Sequence, residues 1–424
     1  MATLPREMLE VRSAAEAVFR QESGRILASL IRISGSFDRA EEALQEAFAA
    51  ALASWEQKGV PENCPAWIMT AAHHKLIDAI RREHTRRDKQ DSLRYAAELA
   101  GSLSPSHLED TAMHFPDDRL RLIFTCCHPA LNQEAQIALT LRTLGGLSTA
   151  EIAKAFLAPE ATLAQRIVRA KRKIQQAHIP YEVPGPNRLA ERLTSVKTVI
   201  YLIFNEGYAA ASGDQLVRTD LCSEAIRLGR MLCELMPAEP ENLALLALML
   251  LQDSRREARV RDGQLVTLEE QDRSLWDQAA IAEGLRLVDK AFSFGRLGPY
   301  QLQAAIAALH AEAKAPEETD WPQIAALYER LLESNPSRVI ALNHAVAVAM
   351  SVGLEQGLAR IDALAASGEL NDYYLFHAAR ADILRRLNRP MEAATAYRRA
   401  LALATNRIER KYLERRLLEL RVVI

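Results

Sequence analysis

Apolar residues recur at helical spacing along almost the whole chain, and no stretch alternates convincingly with a period of two. That pattern restricts the fold to packed helices, an all-α protein. The apolar set points the same way. It makes up 49% of the residues and is dominated by Ala and Leu, while aromatics reach only 6%, a bias that favours helix over strand. A length of 424 residues exceeds what one hydrophobic core organises, so two or three domains are expected. The net charge of −2 excludes nothing, because local charges of opposite sign cancel and their distribution decides partners. The longest apolar run, LALLALMLL at 243–251, is far short of the about 20 residues of a membrane span. The opening MATLPREMLEVR lacks the basic-then-apolar order of a secretory leader. Five cysteines, at 64, 126, 127, 222 and 233, form no evenly spaced framework and read as free thiols of a cytoplasmic protein with no membrane partner.

Breakers divide the helical text. Residues 14–54 read as two helices interrupted at Ser34-Gly35-Ser36, followed by the loop EQKGVPENCP and a third helix over 66–83. A polar stretch to 118, with Gly101, Pro105 and Pro116, reads as a linker. A compact helical block then runs to 178, and IPYEVPGPN at 179–187 gives the clearest boundary. The expected domains are 10–84, a linker over 85–118, 119–178, and 188–424.

The segment LSTAEIAKAFLAPEATLAQRIVRAKRKI (147–174) carries the most chemistry. Ser148 with Glu151 three residues later makes a capping box, and Ile152, Ala153 and Phe156 give a short helix an apolar face. After a turn at Leu157-Ala158, Pro159 suits the start of a second helix whose buried face is Leu163, Ile167, Ala170 and Ile174. Its opposite face presents Thr162, Gln165, Arg166, Arg169, Arg172 and Lys173, with Glu160 and Ala161 at its opening. A short scaffold helix followed by a longer one, polar early and basic late, has the layout of a helix-turn-helix. The early residues meet base edges and the late cations meet phosphates.

Two helices precede this block. FDRAEEALQEAFAAALASW (37–55) turns Ala40, Ala43, Leu44, Ala47, Phe48, Ala51 and Leu52 inward and leaves an acidic-polar stripe of Asp38, Glu41, Glu42 and Gln45 outward. AWIMTAAHHKLIDAIRREHTRR (66–87) buries Trp67, Ile68, Ala71, Ala72, Ile77 and Ile80 and ends in Arg81, Arg82, Arg86 and Arg87. Acidic helix, loop, Trp-Ile helix with a basic end, linker and helix-turn-helix: in this order the chain, over roughly 10–178, resembles the bacterial sigma factors of the extracytoplasmic-function group.

The resemblance implies a sigma region 2 helical domain and a sigma region 4 helix-turn-helix domain that together recruit core RNA polymerase to promoter DNA. It implies polymerase docking through Asp38, Glu41, Glu42 and Gln45. Trp67, His74, Arg81 and Arg82 would contact the −10 element, and Glu160, Ala161, Thr162, Gln165, Arg166, Arg169, Arg172 and Lys173 the −35 element. His74 stands where the group usually carries Asn, and Leu157 where it carries a turn glycine. FTCCHPAL (124–131), IYLIFNEGYAA (200–210) and the long tail resemble one subgroup, whose genes often neighbour small DGPF-motif proteins, so such a protein is a candidate partner of the tail.

Beyond 188 the text changes to paired amphipathic helices. Ala393, Tyr397 and Ala400, and less closely Ile324, Tyr328, Leu331 and Pro336, match the tetratricopeptide pattern of helix pairs about 34 residues long. Thr405 replaces the expected proline and Gly229 an aromatic. A cooperative, TPR-like protein-binding domain is expected, with no basic helix comparable to 160–174. His74 with Asp78, and Cys126-Cys127-His128, lack the converging spacing of a metal site. No phosphate loop, Ser-His-Asp set or paired-carboxylate site is present, so neither an enzyme nor a cofactor is implied. Two other functions fit part of the text: a helix-turn-helix activator with a TPR-type sensor, and a helical scaffold whose basic helix is incidental.

Overall fold

The computed structural model describes residues 6–87, 115–156, 158–210, 214–366 and 368–420, which divide into two compact units, 1–200 and 201–424. Most of the expected linker, 88–114, lies outside the described residues, as does Leu157.

In the first unit, α1 (Arg6–Ser34), α2 (Phe37–Lys58) and α3 (Cys64–Arg87) form a bundle. Gly35 turns the chain between α1 and α2 at φ +62, a left-handed conformation that suits glycine. Ser36 then caps α2 by accepting from Arg39 N. Ala40, Ala43, Leu44, Ala47 and Ala51 are buried as expected; small side chains on α2 let its neighbours come close. The second group comprises α4 (Phe115–Cys126), α5 (Gln133–Thr143), α6 (Thr149–Ala155) and α7 (Glu160–Gln176). α4 begins at Phe115, inside the stretch expected to be linker. Its Asp118, 1% exposed, takes ion pairs from Arg32 at 3.0 Å and Arg121 at 2.8 Å, which joins this group to α1.

The breaker-rich segment 179–187 stays with the first unit. Tyr181 Oη donates toward the carbonyls of Ala28 at 2.9 Å and Asp118 at 3.1 Å. Burial pushes the Tyr181 phenol well above its usual range. α8 (Pro186–Tyr208) then crosses the division between the units.

The second unit continues with α9 (Thr219–Leu235), α10 (Pro240–Asp253), α11 (Gln278–Phe292), α12 (Pro299–Glu312), α13 (Trp321–Ser334), α14 (Arg338–Ser351), α15 (Leu354–Ala365), α16 (Tyr374–Arg386), α17 (Pro390–Leu403) and α18 (Arg407–Glu419). Consecutive helices pack on one another, and Ala393, Tyr397 and Ala400 lie in one apolar cluster with Ile361 and Phe376. Gly229, where an aromatic would suit the repeat pattern, faces α10; a Cβ there would sit 2.7 Å from the Met249 Cε.

Two features depart from the sequence reading. A short hairpin pairs β1 (Val260–Arg261) with β2 (Gln264–Leu265) through Asp262-Gly263, both at positive φ. Two-residue strands are too short to show a period of two. The second unit also holds a helix with as many basic residues as α7: α18 carries Arg407, Arg410, Lys411, Arg415 and Arg416, interleaved with three glutamates.

Candidate nucleic-acid and polymerase interface

The helix-turn-helix is built as its residues dictate. Ser148 N donates to Glu151 Oε2 at 2.7 Å and Glu151 N to Ser148 Oγ at 3.1 Å, so the capping box closes at the start of α6. Pro159 is the N-cap of α7 rather than its first residue. Leu163, Ile167, Ala170 and Ile174 are the buried face of α7, as the spacing predicts.

On the opposite face Glu160, Ala161, Thr162, Gln165, Arg169, Arg172 and Lys173 are exposed. Arg166 is half-buried because its guanidinium pairs with Glu134 on α5 at 2.6 Å. Thr162, Gln165 and Arg169 line a groove of about 330 Å³ between α7 and the start of α5. Arg169, Arg172 and Lys173 have no ion-pair partner among the described residues. Unneutralised cations on one face are what a phosphate backbone attracts.

The outer stripe of α2 is less uniform than periodicity predicts. Asp38, Glu42 and Gln45 are exposed, but Glu41 is half-buried. The cause is Lys171 of α7, whose Nζ lies 2.7 Å from Glu41 Oε2 and 3.4 Å from Asp38 Oδ1. Helical periodicity reports only a residue's own helix, so a lysine 130 positions away leaves no mark on it.

α3 presents its predicted residues along one stripe, since positions seven apart return to the same side after two turns. His74, Arg81 and Arg82 are exposed, and Trp67 is half-buried with its ring edge-on to Trp55 at 5.7 Å. Asn63 Oδ1 accepts from Ala66 N at 3.0 Å, which fixes the entry to α3. The neighbouring His73 points inward. It is 5% exposed, lies 3.3 Å from Ser29 Oγ, and has its pKa lowered to about 4 by burial, with Arg32 and His74 adding repulsion.

Cys126 and Cys127 are buried free thiols, set 3.2 Å from Thr143 Oγ1 and 3.5 Å from Thr140 Oγ1 respectively. Burial pushes the Cys127 thiol up to about 12 and Cys126 higher still, which keeps both protonated and inert. Among the described residues no group of His, Cys, Asp and Glu could hold a metal ion, and no helix is long and apolar enough to cross a membrane.

Two of these regions match known families in sequence. Sigma-70 region 2 matches residues 18–86 and Sigma-70 region 4 matches residues 121–174. A family of unknown function, DUF6596, matches residues 192–292. The chain is 46% identical over 397 residues, 92% of each protein, to the uncharacterized protein R00370 of Rhizobium meliloti (strain 1021). It is 25% identical over 177 residues, 42% of this chain and 60% of the relative, to the probable ECF RNA polymerase sigma factor SigI of Mycobacterium tuberculosis. No solved structure matches the chain.

Proposed function

Because the chain belongs to the family of the Rhizobium meliloti protein R00370 and carries sigma-70 regions 2 and 4, we propose that it is a sigma factor that directs core RNA polymerase to specific promoters. In this reading Asp38, Glu41, Glu42 and Gln45 dock on the polymerase. Trp67, His74, Arg81 and Arg82 engage the −10 element as it melts. Glu160, Ala161, Thr162, Gln165 and Arg166 face bases of the −35 element, and Arg169, Arg172 and Lys173 face its phosphates.

The observation that carries the proposal is the coexistence of both modules in one compact unit with their predicted contact faces largely exposed. An ordinary helix-turn-helix activator needs α6 and α7 but neither the acidic stripe of α2 nor the Trp67 helix. Catalysis has no place in the reading. Binding energy at the two elements supports strand separation, and no cofactor takes part.

The domain division we propose is 10–84 for region 2, 119–178 for region 4, and a TPR-like domain over 188–424. Stacked helix pairs bury a continuous core and leave a surface suited to protein segments, so the back half binds a protein, with a DGPF-motif protein as candidate. The proposed setting is the cytoplasm, where promoter and polymerase are found.

Run-off transcription with purified core polymerase and genomic promoter fragments tests the central reading. The full chain should initiate from a discrete subset of fragments. Stimulation seen only when another sigma factor is supplied would favour the activator instead.

A further inference from the structure

The segment between α10 and α11, Ser254 to Asp277, is closed at its base by Asp277 N, which donates to the Ser254 carbonyl at 2.9 Å. It brings three arginines against aromatic rings. The Arg259 guanidinium lies over the Tyr208 ring of α8, 3.7 Å from its centroid, and that of Arg273 lies 4.5 Å from the Trp276 centroid. Arg255 stands between them. It is 5.9 Å from the Trp276 centroid, and its Nη2 donates to Tyr208 Oη at 3.1 Å.

Among the described residues none of the three arginines has a carboxylate within ion-pair distance. Arg259 and Arg273 are anchored instead on backbone oxygens, of Tyr208 and, at 2.9 Å, of His310. Arg255 has no such anchor. Its Nε is buried without an acceptor, and among the described residues it bonds only to Tyr208 Oη. A half-buried guanidinium with most of its N–H groups uncommitted is costly to hold, and an oxyanion from outside offsets that cost.

The surroundings favour an anion at this point. Burial, with Arg255 and Arg273 adding repulsion, lowers the His310 pKa to about 4, so His310 brings no charge at neutral pH. Burial also holds Arg259 and Arg273 below their usual range, and Arg255 repels both. The acids that act on this group do so at its ends, Glu409 on Arg259 and Glu317 with Glu318 on Arg273. Glu409 is also engaged by the Tyr374 hydroxyl. Tyr328 of α13, half-buried, lies within reach of both the Arg255 charge and Tyr201 of α8.

We propose that Arg255 is the centre of a binding site in the second unit for a small organic carboxylate with a flat, apolar body. The guanidinium fork takes both carboxylate oxygens, the Tyr208 hydroxyl donates to one of them, and the rings of Tyr201 and Tyr328 receive the body. Free phosphate would satisfy the fork and leave the rings without a partner. A nucleic-acid duplex does not suit the site, because these cations are half-buried rather than set along an exposed face. The inference concerns the second unit alone and stands whether or not the sigma reading does.

Titration calorimetry of the full chain with benzoate, acetate and inorganic phosphate tests the site. Benzoate should bind with a Kd on the order of 1 mM or below. It should bind at least about tenfold more tightly than acetate, which offers the same carboxylate without a ring. Benzoate no better than acetate or phosphate would overturn the ligand class, and no binding by any of the three would overturn the site. Arg255→Ala should weaken benzoate at least about tenfold. The ligand-free melting temperature should stay level or rise, since a half-buried charge that the chain leaves unpaired is removed. Unchanged benzoate affinity in Arg255→Ala would refute the role of Arg255.

Phenylglyoxal labelling of arginines in the wild-type chain, read by mass spectrometry, needs no variant and guards against a variant that folds poorly. Arg255 should react about tenfold faster than Arg386, whose guanidinium is held by Glu269 and Asp382, each at 2.6 Å. Saturating benzoate should bring Arg255 down to the Arg386 rate. Labelling of Arg255 that benzoate does not slow would overturn the site, whatever the behaviour of Arg255→Ala.

Discussion

α7 and α18 each carry five basic residues, but their surroundings treat them differently. In α18, Arg416 pairs with Glu270 at 2.7 Å and Glu419 at 2.9 Å, and Arg415 donates to Gln264 at 3.0 Å. Arg410 donates to the carbonyls of Leu401 and Ala404, and Arg407 faces Asp214 at 3.5 Å. In α7, among the described residues, only Arg166 and Lys171 are paired, and Arg169, Arg172 and Lys173 remain for an outside anion. The difference lies in the neighbours. α18 contains three glutamates and packs beside Glu270, whereas α7 contains Glu160 alone. A basic helix attracts a phosphate backbone when its own protein leaves the charges unneutralised; counting lysines and arginines does not reveal which case applies.

The largest expected effect separates the two helices directly. Replacing Arg169, Arg172 and Lys173 together by Ala should lower promoter affinity on the order of 100-fold or more and flatten the salt dependence by about 2.7 in log–log slope. The matching triple, Arg410→Ala, Arg415→Ala and Arg416→Ala, should leave that slope unchanged and instead lower the melting temperature of the second unit. Mobility shifts over a salt series with the full chain make the measurement. Similar losses from both triples would erase the distinction.

Acid should affect the two units unequally. His73 in the first and His310 in the second both have pKa values lowered to about 4, mainly by burial. The unfolded chain takes up a proton near pH 6.5 that the folded chain resists, so stability is unaffected above that pH and falls as the pH drops toward 4. Full burial of His73 makes the loss about 2–3 kcal/mol at the acid end, and the half-buried His310 should contribute less. Hydrogen exchange resolved by segment should show the first unit opening earlier on acidification, and His73→Gln should flatten its pH response. An identical response in both units would mean that the His73 environment is not the deciding one.

A smaller effect distinguishes reading from holding within α7. Gln165→Ala should lose about 1–3 kcal/mol of discrimination at one base pair, whereas Lys173→Ala should weaken all sequences evenly. Competition shifts with single-base promoter variants resolve the two. Unchanged selectivity in Gln165→Ala would move base reading elsewhere on the helix.

What the sequence made legible was local. The break at Gly35, the capping box of α6 and the four-residue buried face of α7 each depend on residues within a turn or two. The contacts that join the first unit's helices are not of that kind. Lys171 meets Glu41, and Tyr181 meets Ala28, across 130 and 153 positions, so helical spacing placed Glu41 in solvent and assigned 179–187 to a boundary. Traces of these contacts exist. Gly24 inside a helical run marks a close approach, and a tyrosine between prolines in 179–187 has an apolar ring to bury. The paired state of α18 is local in part, through Arg416 and Glu419 three residues apart, but its pair with Glu270 has no local trace, because Glu270 comes from the turn after the hairpin.

The smallest prediction carries the comparison down to single caps. Both units contain a capping box, Ser148 with Glu151 and Thr267 with Glu270. The first is tight, at 2.7 and 3.1 Å, and opens the short helix α6. Ser148→Ala should therefore cost about 1 kcal/mol, and because α6 supports α7 without reading bases, all promoter sequences should weaken together. In the second box Thr267 N lies 3.5 Å from Glu270 Oε2, while Arg416 holds the same carboxylate at 2.7 Å. Its glutamate stays anchored when the threonine hydroxyl is removed, so Thr267→Ala should cost less than Ser148→Ala and leave DNA binding unaltered. Thermal melts of the two variants, paired with mobility shifts, give the comparison. A larger loss from Thr267→Ala would mean that the cap, rather than the arginine, fixes Glu270 and through it the basic face of α18.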